Sequence, residues 1–235
     1  MTYAKVWGLK RSGTNFLCWL LEENFNDIEV LTEVGGWKHG FKPKEVDWTG
    51  LSWVDSERGD RRQGMNMAKN RMTPEIRDAF ETGAVLDLFA VKDPYAWIDS
   101  YDRFAHTHFK QDIRTPEEMC RIWNNFNRHW MEAGCRWVKS DEMVIDPVPW
   151  LNGFHAYSGA TKKHDEWKTT ANRMARRADT NKHLGRETKK PFDPTRYTEK
   201  KYLDKFRDNR ALLACVNRRL DRSLMEIFGY EIWSG

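Results

Sequence analysis

The sequence predicts an α/β domain with a parallel sheet, and three observations carry that expectation. Short apolar runs alternate with stretches of helical periodicity. One run, AVLDLFAV at 84–91, is apolar throughout except at Asp87, the pattern of a strand buried on both faces. The first run, Ala4 to Gly8, passes through a glycine-bounded turn, GLKRSGTNFL, directly into a helical pattern.

Each element has a local reason. In GTNFLCWLLEENF, Phe16 and Leu20, and Leu17 and Leu21, share a side at i, i+4 spacing. Residues Ile28 to Val34 (IEVLTEV) read as a second strand. Pro94 suits the first turn of a helix through Trp97 and Tyr101. A further helix is expected from Pro116 to Glu132, and a fourth strand in CRWVKS at 135–140. Thr198 to Phe228 is helical in pattern, with Gly229 as its stop. Residues 35–74 and 158–197 read as long irregular or partly helical insertions in a single domain spanning 1–235. Segments of that length are uncommon unless they serve function.

Composition sets outer limits. A chain of 235 residues buries one sizeable core. With 39 basic and 35 acidic side chains, the net charge of +4 gives no signature of a nucleic-acid binder. Charge is uneven, however: Ala160 to Lys190 holds ten Lys/Arg against four Asp/Glu, a local +6. Such a segment either holds an anion or is a solvated loop. The start, MTYAKVWGLK, has no charged leader followed by an apolar stretch, and no apolar run approaches 18 residues. Neither a signal peptide nor a membrane span is expected, and the location expected is cytoplasmic. Cys18, Cys120, Cys135 and Cys215 are widely spaced, which fits reduced thiols rather than a zinc site. Most of the twelve tryptophans are expected to serve packing.

The chemistry concentrates in GLKRSGTNFL. A turn from strand into helix presents backbone N–H groups and the positive end of a helix dipole, a ready anion site. Gly8 and Gly13 permit the tight turn; Lys10 and Arg11 add charge, and Ser12 and Thr14 add hydroxyls. The glycine spacing matches a nucleoside-triphosphate loop, GxxxxGK[ST], but Thr14 stands where its lysine belongs.

RSGT after a first strand resembles the 5′-phosphosulfate loop of sulfotransferases. That family transfers a sulfuryl group from 3′-phosphoadenosine 5′-phosphosulfate (PAPS), leaving adenosine 3′,5′-bisphosphate (PAP). A second motif agrees: in KDPYAWIDS, Lys92 and Ser100 are eight positions apart, like the family's basic residue and serine that grip the donor's 3′-phosphate. The family more often has arginine there, so Lys92 keeps the charge but not the bidentate fork. The resemblance implies a three-layer sandwich around a central parallel sheet, a P-loop NTPase-like sulfotransferase architecture with helical insertions at about 40–80 and 158–197. It implies a donor site of Lys10, Arg11, Ser12, Gly13, Thr14, Asn15, Lys92 and Ser100. Arg186, Lys189 and Lys190 are the candidates for its late basic loop. Glu33, just after the second strand, takes the place of the base on the acceptor hydroxyl; the neighbouring WKHGF supplies Lys38 and His39 as rivals, His39 ranking second. Lys10 and Arg11 would stabilise the leaving phosphate, and no metal is implied.

Ser140 replaces the tyrosine that in the family often approaches the adenine, leaving Trp37 and Tyr157 as stacking candidates. The acceptor expected is a hydroxyl of a glycan or small molecule, not a nucleic acid. Trp37, Trp48 and Trp53 are either a stacking surface for a sugar or ordinary packing. Two competing readings stand beside this one. The first is a P-loop small-molecule kinase using Asp93 for magnesium. The second is a non-catalytic binder of polyanions through 160–190.

Overall fold

The structure, a computed structural model, describes residues 1–31, 34, 38–41, 73–108, 110, 113–169 and 194–235, and the backbone of 45–47, 52–54 and 61–63. Its centre is a four-stranded, all-parallel sheet of β1 (Thr2–Gly8), β2 (Ile28–Val30), β6 (Leu86–Val91) and β7 (Arg136–Lys139), in the order β2-β1-β6-β7. Side chains alternate across it as the pleat requires. Ala4, Val6, Leu88 and Ala90 face α1 (Thr14–Asn24) and α6 (Val148–Ser158), meeting Leu17, Leu20, Leu21, Leu151 and Phe154. Trp7, Phe89 and Val91 face the other way, onto α3 (Pro94–His108), α4 (Pro116–Glu132), α9 (Arg210–Arg219) and α10 (Arg222–Ile227). Helices thus cover both faces of the sheet, a three-layer α/β arrangement. Burial of apolar side chains on both sides explains why AVLDLFAV carries no polar alternation.

Several boundaries differ from the sequence reading. The second strand ends at Val30 rather than Val34: Leu31 N still donates to Ala4 O at 2.8 Å, but Val34 O is taken by the Lys5 side chain at 2.5 Å. The insertion at 40–80 is not simply helical. It holds a separate antiparallel sheet of β3 (Glu45–Asp47), β4 (Ser52–Val54) and β5 (Arg61–Gln63), followed by α2 (Pro74–Glu81). Three-residue strands are too short to declare a period of two. Nor is 198–228 one helix. It divides into α7 (Thr195–Thr198), a 3-10 turn (Lys201–Leu203), α8 (Asp204–Arg207), α9 and α10. Asn209 caps α9 through Leu212 N at 2.9 Å, and Asp221 caps α10 through Ser223 N at 3.0 Å, so each restarts the helix. Gly229, at φ 64, ends the last helix as expected. The helix at Pro116–Glu132 has the predicted bounds. No helix among the described residues is long and apolar enough to cross a membrane.

Candidate anion site at the sheet's switch point

From β1 the chain moves to β2 on one side and returns to β6 on the other. The carboxyl ends of β1 and β6 are therefore where the strand order reverses, the place where open α/β sheets leave a crevice for ligands. Both sequence motifs arrive there. The loop from Leu9 to Gly13 leaves the end of β1, and Lys92 leaves the end of β6.

Sterics shape the loop. A Cβ on Gly8 would lie 2.5 Å from Ser12 Oγ, 2.6 Å from Thr14 Cγ2 and 3.1 Å from Ala90 O, so only glycine turns the strand here. Arg11 (φ 76) and Gly13 (φ 84) both occupy the left-handed region, which costs a non-glycine residue roughly 1–2 kcal/mol. Ser12 Oγ donates to Leu9 O at 2.8 Å and its N–H to the same oxygen at 2.9 Å, fixing the curl. Trp97 Nε1 holds Lys10 O at 2.9 Å from the buried side. Gly13 lies close over Ser140, the first residue of α5 (Ser140–Ile145): a Cβ on Gly13 would lie 3.0 Å from Ser140 Cβ. The helix α1 that follows has no side-chain cap and no acidic residue in its first turn. Its dipole points into the crevice without a covalent counter-charge.

Lys92 joins the two motifs. Its Nζ donates to Arg11 O at 3.2 Å across 81 residues of sequence, and its own carbonyl accepts Trp123 Nε1 at 2.9 Å. The side chain is only 4% exposed. Burial first, and then the charge of Arg11, pull its pKa down to about 7. Ser100, the motif's other member, is buried on α3.

Residues that the sequence reading did not single out complete the site. Tyr197, on α7, sets its ring 5.1 Å from Lys92 Nζ. Burial raises the Tyr197 phenol above its ordinary pKa, partly offset by the cations Arg196, Arg11 and Arg103. Arg196 is held by the buried Asp99 carboxylate, which also meets Arg103 at 3.4 Å one helical turn on. Arg11 packs its guanidinium 5.1 Å from the Phe104 ring. Lys92, Arg11, Arg103 and Arg196 thus lie around one tyrosine, with Asp141 and Asp99 as the acidic groups of the cluster. Only the chain fold puts Arg196 and Tyr197 beside Lys92, and no sequence spacing announces it.

Residues 38–41 also reach the loop. Gly8 N donates to Lys38 O at 2.9 Å, and Lys38 Nζ donates to Asn15 Oδ1 at the start of α1. His39 Nδ1 lies 2.5 Å from Gly8 O. A carbonyl oxygen only accepts, so Nδ1 carries the proton and a neutral His39 ring has its lone pair on Nε2. Lys38 and His39 are therefore brought to the mouth of the loop.

Other expectations fall elsewhere. Glu33, Trp37, Trp48, Arg186, Lys189 and Lys190 lie outside the described residues. Tyr157 does not approach the loop along the route expected for an adenine-stacking ring. It packs 3.2 Å from the guanidinium of Arg136, at the first residue of β7 and so toward the opposite end of the sheet. Asp93, the magnesium candidate of the kinase reading, caps α3: its Oδ1 accepts Ala96 N at 3.0 Å, and burial raises its pKa to about 6. Among the described residues no group of three His, Cys, Asp or Glu side chains could hold a metal ion. In comparison with known proteins, the chain matches no family model and no curated protein.

Proposed function

We propose that this chain is a sulfotransferase that moves a sulfuryl group from PAPS to an acceptor hydroxyl. The observation that carries the reading is the Lys92–Arg11 contact, which joins the two motifs into one crevice. A donor with a phosphate at each end of its ribose needs two anion sites of this kind side by side. The loop N–H groups, Lys10, Arg11 and Thr14 would bind the 5′-phosphosulfate, with Asn15 at the helix start. Lys92 and Ser100, joined by Arg196, would hold the 3′-phosphate. In the P-loop NTPase-like sulfotransferase architecture this reading implies, the missing Walker lysine makes sense. A phosphosulfate has no third phosphate for that lysine to reach.

Transfer proceeds in line: the acceptor oxygen attacks sulfur as the bond from sulfur to the bridging phosphate oxygen breaks. Negative charge grows on the departing 5′-phosphate, where Arg11, Lys10 and the loop amides stabilise it; one such donor is worth roughly 3–4 kcal/mol in the transition state. The acceptor proton passes to Glu33 or His39. A glycan or small-molecule hydroxyl is the acceptor favoured.

Thermal shift provides the first test. PAP should stabilise the protein, whereas ATP with magnesium and a short oligonucleotide should not. Stabilisation by ATP–magnesium alone would sink the proposal in favour of the kinase. The base is assigned by following sulfate release from PAPS to water: Glu33→Gln should abolish it and His39→Ala reduce it. The opposite pattern makes His39 the base.

A further inference from the structure

Lys5 is 0% exposed, in the middle of the central strand β1. A lysine so placed is expensive unless its ammonium is paired and hydrogen-bonded. Its Nζ donates to Val34 O at 2.5 Å and sits 4.7 Å from the centre of the Trp7 ring. Trp7 Nε1 in turn donates to Asp87 Oδ1 at 2.7 Å. Lys5 and Asp87 are register partners on β1 and β6, so both side chains leave the same face of the sheet. Asp87 is the one charged residue in an otherwise apolar strand.

This buried ammonium holds the backbone of a residue that lies outside the strand ladder. Past Leu31, the described residues are held to β1 at two backbone points: Val34 O by Lys5, and Lys38 O by Gly8 N. Lys38 and His39 stand at the loop mouth. An apolar residue at position 5 would pack equally well against Trp7 but could not hold a carbonyl.

We propose that Lys5 is a positioning residue. By holding Val34 O against β1 it sets where Lys38 and His39 stand, so that both meet the transferring group in one geometry. The proposal rests on the sulfotransferase reading for its catalytic consequence, but not for its structural one.

The test is Lys5→Met, which keeps the stem's volume and removes the donor. Three readouts are taken: amide hydrogen exchange, PAP affinity by calorimetry, and the rate of sulfate release from PAPS to water. Exchange at residues 34–41 should rise at least tenfold while α4 amides stay protected, which separates loosening of the segment from general destabilisation. Affinity for PAP should stay within about threefold, and the rate at saturating PAPS should fall at least tenfold. Unchanged exchange at 34–41, or a loss spread evenly over the molecule, overturns the positioning role. If the segment loosens and wild-type protein neither binds PAP nor hydrolyses PAPS, Lys5 remains the tether and the sulfotransferase reading fails instead. Should Lys5→Met not fold, Asp87→Asn carries the test. It keeps a side-chain oxygen for Trp7 but removes the carboxylate charge that stands in register with Lys5, and exchange at 34–41 should rise two- to fivefold. No rise there counts against the proposal.

Discussion

Two helix starts in this molecule are built in opposite ways. At α4, Thr115 Oγ1 accepts Glu118 N at 3.2 Å, the Glu118 carboxylate accepts Thr115 N at 2.9 Å, and Pro116 fills the first turn. That end satisfies itself and carries two acidic residues against its dipole. At α1 the cap is Gly13 in a left-handed conformation, with no side-chain cap and no acid in the first turn. Cations instead gather around it: Lys10, Arg11, Lys38 and Lys92. The difference separates a helix end capped by its own side chains from one whose first turn has neither a side-chain cap nor an acidic residue. The cations alone would be ambiguous; beside an uncapped dipole at a switch point, they support the donor site proposed above.

The sharpest way to break that comparison is to give α1 what α4 already has. Asn15→Asp places a carboxylate in the first turn at an exposed position. Toward folding it is favourable, worth about 0.3–1 kcal/mol with the helix dipole. Toward a bound phosphate it is a like charge; at about 5–8 Å and an effective dielectric constant near 20 the repulsion is roughly 2–3 kcal/mol. We expect an unchanged or slightly raised melting temperature and a loss of PAP affinity on the order of a hundredfold by calorimetry. If affinity holds, α1 does not face the anion.

Lys92 supplies the next largest effect, through pH. Its folded pKa is drawn down to about 7 from 10.5 by burial and by Arg11. Between these values the unfolded chain holds a proton that the folded chain lacks, so stability from this group rises with pH; below pH 7 the full penalty of the buried charge applies. A bound phosphate favours the charged form and returns the proton. PAP affinity should therefore fall as pH rises above 7, approaching about tenfold per unit, while the unliganded protein gains stability from the same group. Lys92→Arg, which stays charged, should flatten the affinity slope. A flat slope in the wild-type protein would place the 3′-phosphate away from Lys92.

Much of this was readable from residues that act locally. The bounds of α4 were written in Thr115, Pro116 and Glu118. The loop was written in Gly8 and Gly13, and the buried strand in the apolar run around Asp87. What escaped depends on contacts distant in sequence. The strand after Ile28 stops at Val30, and Val34 O goes to the side chain of Lys5 in another strand. Arg196 and Tyr197 join the site because Asp99, 97 residues earlier, holds Arg196. The apparent helix from Thr198 to Phe228 breaks at Asn209 and Asp221. Both are cap residues, but they lay inside a periodic pattern that hid them. The placement of Lys38 and His39 beside the loop follows from two hydrogen bonds to Gly8, although their nearness in sequence to Glu33 had marked them as rivals to it.

The smallest expected effect tests the other half of the comparison. Thr115→Ala removes the side chain that accepts Glu118 N and leaves only the other half of the box, the backbone N–H of residue 115 donating to the Glu118 carboxylate. Loss of such a cap costs about 1 kcal/mol, typically within 0.5–2. For a chain of this size that is a fall in melting temperature of about 2–4 °C. Because the α4 start is finished internally, PAP should stabilise Thr115→Ala by the same increment as wild type. A reduced increment would show that α4's cap is coupled to the loop, through Trp123 and its bond to Lys92 O, and the two helix ends would then belong to one device rather than two.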